Sequence, residues 1–318
     1  MAIPNRYILH QAPVIAALGQ TVFSALFNKA SGTQSPVTVP GPEIVQTIPP
    51  RPKDLLRHYV RHVGGDPSIY KRVLPAHLFP QWGFPLAAKS LIGLDYPLQK
   101  VLNAGCRMEI NAPLPNDEPL RVCGRLESID DNGRRVLITT RVATGTKADP
   151  EALVGYITVL VPLGGGKGGK GGKDAKKKKE RPRVPHDARE IGFWKLGSSA
   201  GLEFAKLTGD FNPVHWVRPY ARAFGFRNCI LHGFSTMARA MEGLTCHLLS
   251  GDAGAIRTLE VKFTSPLVLP AKVGLYLGTG TLPDRGPDAL CVYVGDAPGG
   301  RAFLTGHYEL RTENGASQ

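Results

Sequence analysis

A carboxylate and an imidazole lie five residues apart in this chain, as Asp210 and His215 of the run GDFNPVH. Together such groups can give and take a proton near neutral pH, which is general acid–base chemistry. On one continuous helix they would point in different directions, because helical neighbours lie three or four residues apart. Pro213 removes a backbone donor and favours extended backbone at the residue before it, so we predict a turn that brings the two side chains together.

A second motif, HGFS, begins at His232, seventeen residues after His215. A helix is predicted directly after it, over residues 235–249, from an apolar stripe at helical spacing. The backbone N–H groups at the start of a helix favour negative charge. The motif is therefore a candidate for stabilising an oxyanion.

These residues resemble the signature of the MaoC-like, (R)-specific enoyl-CoA hydratases, also called hydratase 2. The signature reads Gly-Asp-x-Asn-Pro-x-His with a His-Gly pair downstream, and each fixed position is present here. The resemblance implies a hot-dog fold, in which a curved antiparallel sheet wraps a long central helix. It also implies reversible hydration of trans-2-enoyl thioesters to (R)-3-hydroxyacyl thioesters, with no metal and no redox cofactor.

The same resemblance implies roles for individual residues. Asp210 and His215 would hold and activate the water, and the amide N–H of Gly233 would bind the thioester oxygen. Asn212 would orient the water or the loop. His232 is expected to shape the loop through a hydrogen bond, and Ser235 to cap the following helix rather than act as a nucleophile, because no G-x-S-x-G elbow surrounds it.

Four cationic side chains near the motif could meet the phosphates of coenzyme A, although each is equally well explained as part of a solvated face. They are Arg218, Arg222, Arg227 and Lys262.

The chain divides into four parts by composition and pattern. We predict an N-terminal arm or lead-in at 1–52, a non-catalytic hot-dog domain at 53–163, a flexible Gly/Lys-rich linker at 164–183 and a catalytic hot-dog domain at 184–318. The arm is expected to pack on the body as a helix or extended segment rather than act as a signal peptide.

The first half repeats the second in outline. Gly65-Asp66-Pro67 parallels Gly209-Asp210, and Trp82-Gly83 falls where His232-Gly233 falls. The first half lacks the Asn-Pro and the His that follow the acid in the second, and His77 is expected to be structural or to lie at a pocket rim.

Each half is predicted to hold helices followed by antiparallel strands. Helices are expected at 53–63, 84–92, 202–208 and 220–224 besides 235–249. Strands are expected at 101–110, 120–129, 135–142, 153–161, 256–263, 272–281, 289–295 and 301–311. This pattern, given twice, predicts an α+β double hot-dog fold whose two sheets join edge to edge and so remove an exposed edge.

More than half of the chain's excess positive charge lies in one short segment. The net charge is +13, and residues 164–183 carry +7 of it, from seven lysines and two arginines against two carboxylates. Without aromatic residues for base stacking, this run is expected to be a solvated linker rather than a nucleic-acid site. The five scattered cysteines indicate reduced thiols in a cytoplasmic protein.

Several functions remain open from sequence. The leading one is a hydratase or dehydratase acting on acyl-CoA or acyl-carrier thioesters, as a monomeric double hot dog or a homodimer. The alternatives are a non-catalytic acyl-CoA or acyl-carrier binding module, an RNA- or membrane-associated protein acting through the lysine run, and a hot-dog thioesterase. No stretch reaches the ~18 uninterrupted apolar residues expected of an integral membrane span.

Overall fold

The structure is a computed structural model that describes residues 3–12, 14–16, 38–98, 101–163, 181–278 and 290–311. Residues 17–37 of the predicted arm and residues 164–180 of the predicted linker lie outside the described residues. The helices include α1 (Tyr7–His10), α2 (Lys53–His62), α3 (Pro80–Ser90), α4 (Ala200–Thr208), α5 (Arg218–Ala223) and α6 (Gly233–His247).

The described strands form one antiparallel sheet. They are β1 (Ile44–Ile48), β2 (Leu102–Ile110), β3 (Leu120–Asp131), β4 (Arg135–Gly145), β5 (Leu153–Pro162), β6 (Arg189–Leu196), β7 (Ile256–Phe263), β8 (Ala271–Gly278), β9 (Leu290–Gly295) and β10 (Ala302–Leu310). Their order across the sheet is β1-β3-β4-β5-β2-β7-β10-β9-β8-β6. Counted inward from each outer edge to the β2–β7 junction, the two sets of five strands follow the same order, so the predicted double hot dog is confirmed.

The two half-sheets join through β2 and β7. Their pairing runs antiparallel from Gly105 opposite Lys262 to Glu109 opposite Thr258. Gly105 is required there, because a Cβ would collide with the carbonyl oxygen of Val261. The junction therefore removes one exposed edge from each half, as predicted.

Helix α6 is the most deeply buried helix of the second half, with each residue from Phe234 to Thr245 buried. Its first turn meets α3 of the first half, where the rings of Phe84 and Phe234 pack edge to face at 5.0 Å between centroids. One hydrophobic core continues through both halves. The start of α6, which carries the His-Gly motif, is thus held from both sides.

Two strands were missed by the sequence analysis. β1 lies inside a segment predicted as a loop or extended lead-in, and β6 was not predicted at all. They are the outermost strands of the sheet, and each pairs with a single strand far along the chain, β3 or β8. No short hairpin turn marks either one, so the local sequence carries little signal.

The prediction for Ser235 is wrong. Helix α6 begins at Gly233 with His232 as its N-cap residue, which places Ser235 inside the first turn. The Ser235 hydroxyl is buried and has no hydrogen-bond partner among the described residues. A residue inside the helix cannot accept from the N–H groups that an N-cap residue serves.

The repeat between the halves is shifted by one residue from the predicted register. Gly64 after α2 and Gly209 after α4 share the left-handed conformation, with φ of +90° and +86°. The position of Asp210 therefore falls on Gly65, where a Cβ would collide with the carboxylate of Glu242. Asp66 accepts a hydrogen bond from the backbone N–H of Ser68, at the start of a 3₁₀ turn. The first half thus lacks an acid at this position as well as a base.

Within the described residues, no helix is both long and apolar enough to span a bilayer. The five cysteines are free thiols, as predicted.

Candidate active site

Asp210 is placed by the end of α4. Gly209 terminates the helix in the left-handed conformation, and its N–H donates to the carbonyl of Ala205. A glycine is favoured there because a side chain strains this conformation. Asp210 follows with a side chain 13% exposed, and its Oδ1 accepts a bond of 3.3 Å from the backbone N–H of Asn212.

Asn212 shapes the turn between the acid and the imidazole. Its side-chain oxygen accepts from the backbone N–H of Val214 at 3.2 Å and caps the 3₁₀ helix Pro213–His215. The predicted turn is therefore present. Asn212 is itself exposed, which fits orientation of the loop better than direct contact with the reacting atoms.

His215 has a defined tautomer. Its Nδ1 lies 2.8 Å from the carbonyl oxygen of Ile230. A carbonyl oxygen only accepts, so Nδ1 carries the proton and Nε2 is left as a free base in the neutral ring. Burial lowers the pKa of His215, and the nearby Asp210 opposes the shift. His215 therefore meets the requirement for a general base: a neutral ring with an available lone pair.

His232 lies against His215 as a stacked ring, with 3.6 Å between centroids and 25° between planes. Its Nε2 donates to the carbonyl oxygen of Asp210 at 2.9 Å. Its Nδ1 is buried without a hydrogen-bond partner among the described residues. Burial, and then the neighbouring His215, lower the pKa of His232 to about 3. His232 is thus a neutral residue that fixes the acid's backbone, in line with the predicted loop-shaping role.

Gly233 opens α6, and the first N–H groups of a helix have no intrahelical acceptor. The Phe263 ring lies so close that a Cβ on Gly233 would come within 2.9 Å of it. Glycine is therefore required by this aromatic ring, a contact that the sequence did not reveal. The Gly233 N–H remains available to an oxygen placed at the positive end of the helix.

The acid and the two imidazoles lie close together. One ligand-type atom each of Asp210, His215 and His232 lie within 4.8 Å of one another. Such a trio could in principle hold a metal ion. Each histidine, however, already uses one ring nitrogen as a donor to a carbonyl, and the two rings are stacked with 25° between their planes, so the remaining lone pairs lie in nearly parallel planes. Tetrahedral zinc needs lone pairs that converge on one point, so the arrangement fits proton transfer better.

The four cationic candidates are not gathered in one place. Arg218 and Arg222 lie exposed on α5 and Arg227 is exposed in the loop after it. Lys262 is exposed on β7 beside Phe263, and successive strand residues face opposite sides of the sheet. Because Phe263 faces Gly233, Lys262 points away from the catalytic cluster. Binding of phosphate by the three arginines stays a prediction.

Two aromatic neighbours of the site were also missed by the sequence analysis. Phe263 packs on Gly233, and Phe204 of α4 packs on the His232 ring at 4.9 Å between centroids. Both are apolar residues in predicted elements, so no sequence signal separates them from ordinary core residues.

The chain is similar to several known proteins. Residues 176–279 match the family described as the MaoC like domain. An enoyl-CoA hydratase, ChsH3, of Mycobacterium tuberculosis is 30% identical over 171 residues, which cover 54% of this chain and 58% of that protein. The alignment therefore spans less than two thirds of the relative's length.

Solved structures share the architecture. A MaoC-like dehydratase of Phytophthora capsici superposes with a TM-score of 0.68 at 19% identity, covering 87% of this chain and 97% of that one. A conserved hypothetical protein of Mycobacterium tuberculosis with a double hot-dog fold gives a TM-score of 0.54 at 14% identity, covering 86% and 96%. This chain therefore shares the double hot-dog fold of these structures, and its residues 176–279 are similar to the MaoC like domain.

Proposed function

We propose that the protein adds water across the C2–C3 double bond of trans-2-enoyl thioesters and gives (R)-3-hydroxyacyl thioesters, and that it catalyses the reverse dehydration. The hydroxyl group goes to C3 and the hydrogen to C2. Asp210 and His215 carry the proton, and Gly233 binds the thioester oxygen.

One observation carries the proposal. The Nδ1 of His215 donates to the Ile230 carbonyl, which leaves Nε2 unprotonated, and a ring nitrogen of His215 lies within 4.8 Å of a carboxylate oxygen of Asp210. A carboxylate and a neutral imidazole at this separation can both bind one water molecule. The match to the MaoC like domain and the similarity to an enoyl-CoA hydratase add support.

The reaction then follows from the chemistry of the groups. Asp210 and His215 hold the water, and the pair accepts a proton as the oxygen attacks C3. Negative charge develops on the thioester oxygen, and a backbone N–H at a helix N-terminus stabilises it without reorganisation. The pair returns the proton to C2, so that one water has been added in total.

The neutral histidines fit this cycle. A protonated His215 could not accept the first proton, and burial keeps the ring neutral by lowering its pKa. The ring of His232 stays neutral for the same reason. The base is therefore available at neutral pH.

The first test is direct. The loss of enoyl-thioester absorbance is followed with crotonyl-CoA and with a longer enoyl-CoA, and the 3-hydroxyacyl product is resolved on a chiral phase. The proposal predicts hydration that gives the (R)-product. Formation of the (S)-product would refute the stereochemical part.

An inactive protein would need a second measurement. If the chain binds both thioesters and hydrates neither, the same assay is run with an enoyl group on acyl-carrier protein. Hydration there would identify the carrier-bound substrate. Binding without turnover on either carrier would refute the enzyme and leave the acyl-thioester binding module.

A further inference from the structure

The leading segment of the chain, residues 3–12 and 14–16, lies against the end of α4 and Gly209, although nearly 200 residues separate them. Its described residues contact both α2 and α4. The Tyr7 hydroxyl donates to Asp54 of α2 at 2.9 Å. The Lys206 ammonium of α4 donates to the carbonyl of Ile3 at 3.3 Å. The segment therefore bridges the first and second halves.

Gln11 is the polar centre of this contact, and its side chain is fully buried. Its carboxamide nitrogen donates to the carbonyl oxygens of Lys206 at 3.3 Å and Leu207 at 3.0 Å. These carbonyls lie in the last turn of α4, where a helix has no N–H groups left to pair with them. Gln11 thus caps the end of α4 from outside the helix.

The first half completes the cap. The carboxamide nitrogen of Gln81, on α3, donates to the side-chain oxygen of Gln11 at 3.1 Å and to the Leu207 carbonyl at 3.2 Å. Val14 adds an apolar contact at Gly209. It lies so close that a Cβ on Gly209 would come within 2.8 Å of the Val14 Cβ. Two elements distant in sequence, the leading segment and α3, therefore converge on the residues just before Asp210.

We propose that Gln11 is a positioning residue for the reaction: it fixes the end of α4 so that Asp210 is held opposite His215. This inference rests on the proposed function. From the other side, His232 binds the Asp210 carbonyl, so the acid is secured at both ends. Loss of the Gln11 cap frees one end, and a displacement of about 1 Å at a catalytic group can cost up to about 10²-fold in rate.

The test compares Gln11→Leu with a matched variant of the same segment. Gln11→Leu removes the cap and keeps the side-chain volume close. Tyr7→Phe removes hydrogen bonds from the same segment, but on the side of α2. We expect Gln11→Leu to lower kcat by about 10- to 100-fold with KM within about threefold. Tyr7→Phe should keep kcat within about twofold of the unaltered protein.

The pH profile separates positioning from general loosening. Asp210 opposes the lowering of the His215 pKa. If Gln11→Leu displaces the carboxylate, the acid limb of kcat/KM moves to lower pH, whereas a purely structural defect leaves it unmoved. Gln11→Asn keeps a carboxamide that is one methylene too short for both carbonyls. It gives the same readouts if the leucine variant does not fold.

A readout that needs no activity keeps the two proposals distinct. Hydrogen exchange of the backbone amides over residues 207–215 should accelerate in both Gln11 variants and not in Tyr7→Phe. If the protein proves inactive while exchange accelerates only in the Gln11 variants, the hydratase proposal fails and the positioning contact stands. Unchanged kcat and exchange in the Gln11 variants, or an equal loss of kcat in Tyr7→Phe, would overturn the inference.

Discussion

Removing one partner of the buried pair between His77 and Glu242 should destabilise the protein severely. The Nε2 of His77 lies 2.9 Å from a carboxylate oxygen of Glu242, and both side chains are 0% exposed. The other ring nitrogen of His77 lies 2.9 Å from the hydroxyl of Tyr59 on α2. The network ties the first half to α6, as the predicted structural role of His77 requires.

The magnitude follows from the burial. Glu242→Ala leaves the Nε2 of His77 without its partner in a buried site, and loss of one partner of a buried pair costs roughly 3–5 kcal/mol. A matched control is the Arg107–Glu109 pair on β2, at 2.8 Å with side chains 45% and 28% exposed. Exposed pairs contribute about 0–1 kcal/mol, so Glu109→Ala should be nearly silent.

Urea unfolding of the two variants and of His77→Ala measures these costs. The double variant His77→Ala/Glu242→Ala should cost clearly less than the sum of the single changes, because the second removes a group that the first left unpaired. A cost below about 1 kcal/mol for Glu242→Ala, or a cost for Glu109→Ala that matches it, would refute this account of the interface.

Further predictions concern the site itself. Gly233→Ala should lower both kcat and stability because its Cβ meets the Phe263 ring, and Phe263→Leu added to it should restore part of kcat; no recovery would show that this ring is not the obstacle. The acid limb of kcat/KM should lie below pH 6.5, since burial lowers the pKa of His215 and the neutral base persists as pH falls; a limb above pH 6.5 would contradict this. Ser235→Ala should retain kcat, which excludes a serine nucleophile, and an inactive folded variant would reverse that conclusion. Burial lowers the pKa of His62 to about 3. The neutral ring therefore contributes fully to stability above pH 6.5, and the free energy of unfolding falls by up to about 1.4 kcal/mol per pH unit below that pH. Urea unfolding of His62→Gln should show a shallower loss of stability between pH 6 and 4, and a loss equal to that of the unaltered protein would contradict the assignment.

The catalytic loop was accessible to sequence reasoning because its geometry is local. Pro213 forces the turn, and the left-handed conformation of Gly209 ends the helix, so the turn between Asp210 and His215 is set by neighbouring residues. The double hot dog could be predicted because strand periodicity and the repeated pattern of helix followed by strands are also local in the sequence.

What escaped prediction depends on contacts that are distant along the chain. Strands β1 and β6 are defined by partners more than 70 residues away. Gln11 caps a helix about 195 residues further on, and nothing in its neighbourhood distinguishes it from a surface glutamine. The offset of the repeat became visible only from the backbone conformation of Gly64.

The central claim is that Asp210 and His215 act together on one water. The most direct measurement is kcat for hydration of an enoyl-CoA by Asp210→Asn, by His215→Ala and by the double variant, each checked for intact folding. We expect each single change to lower kcat by about 10²-fold or more, and the double variant to lose little beyond the worse single one, because groups that act as a unit are not additive. Wild-type kcat in either folded single variant, or losses that multiply fully in the double variant, would contradict the account.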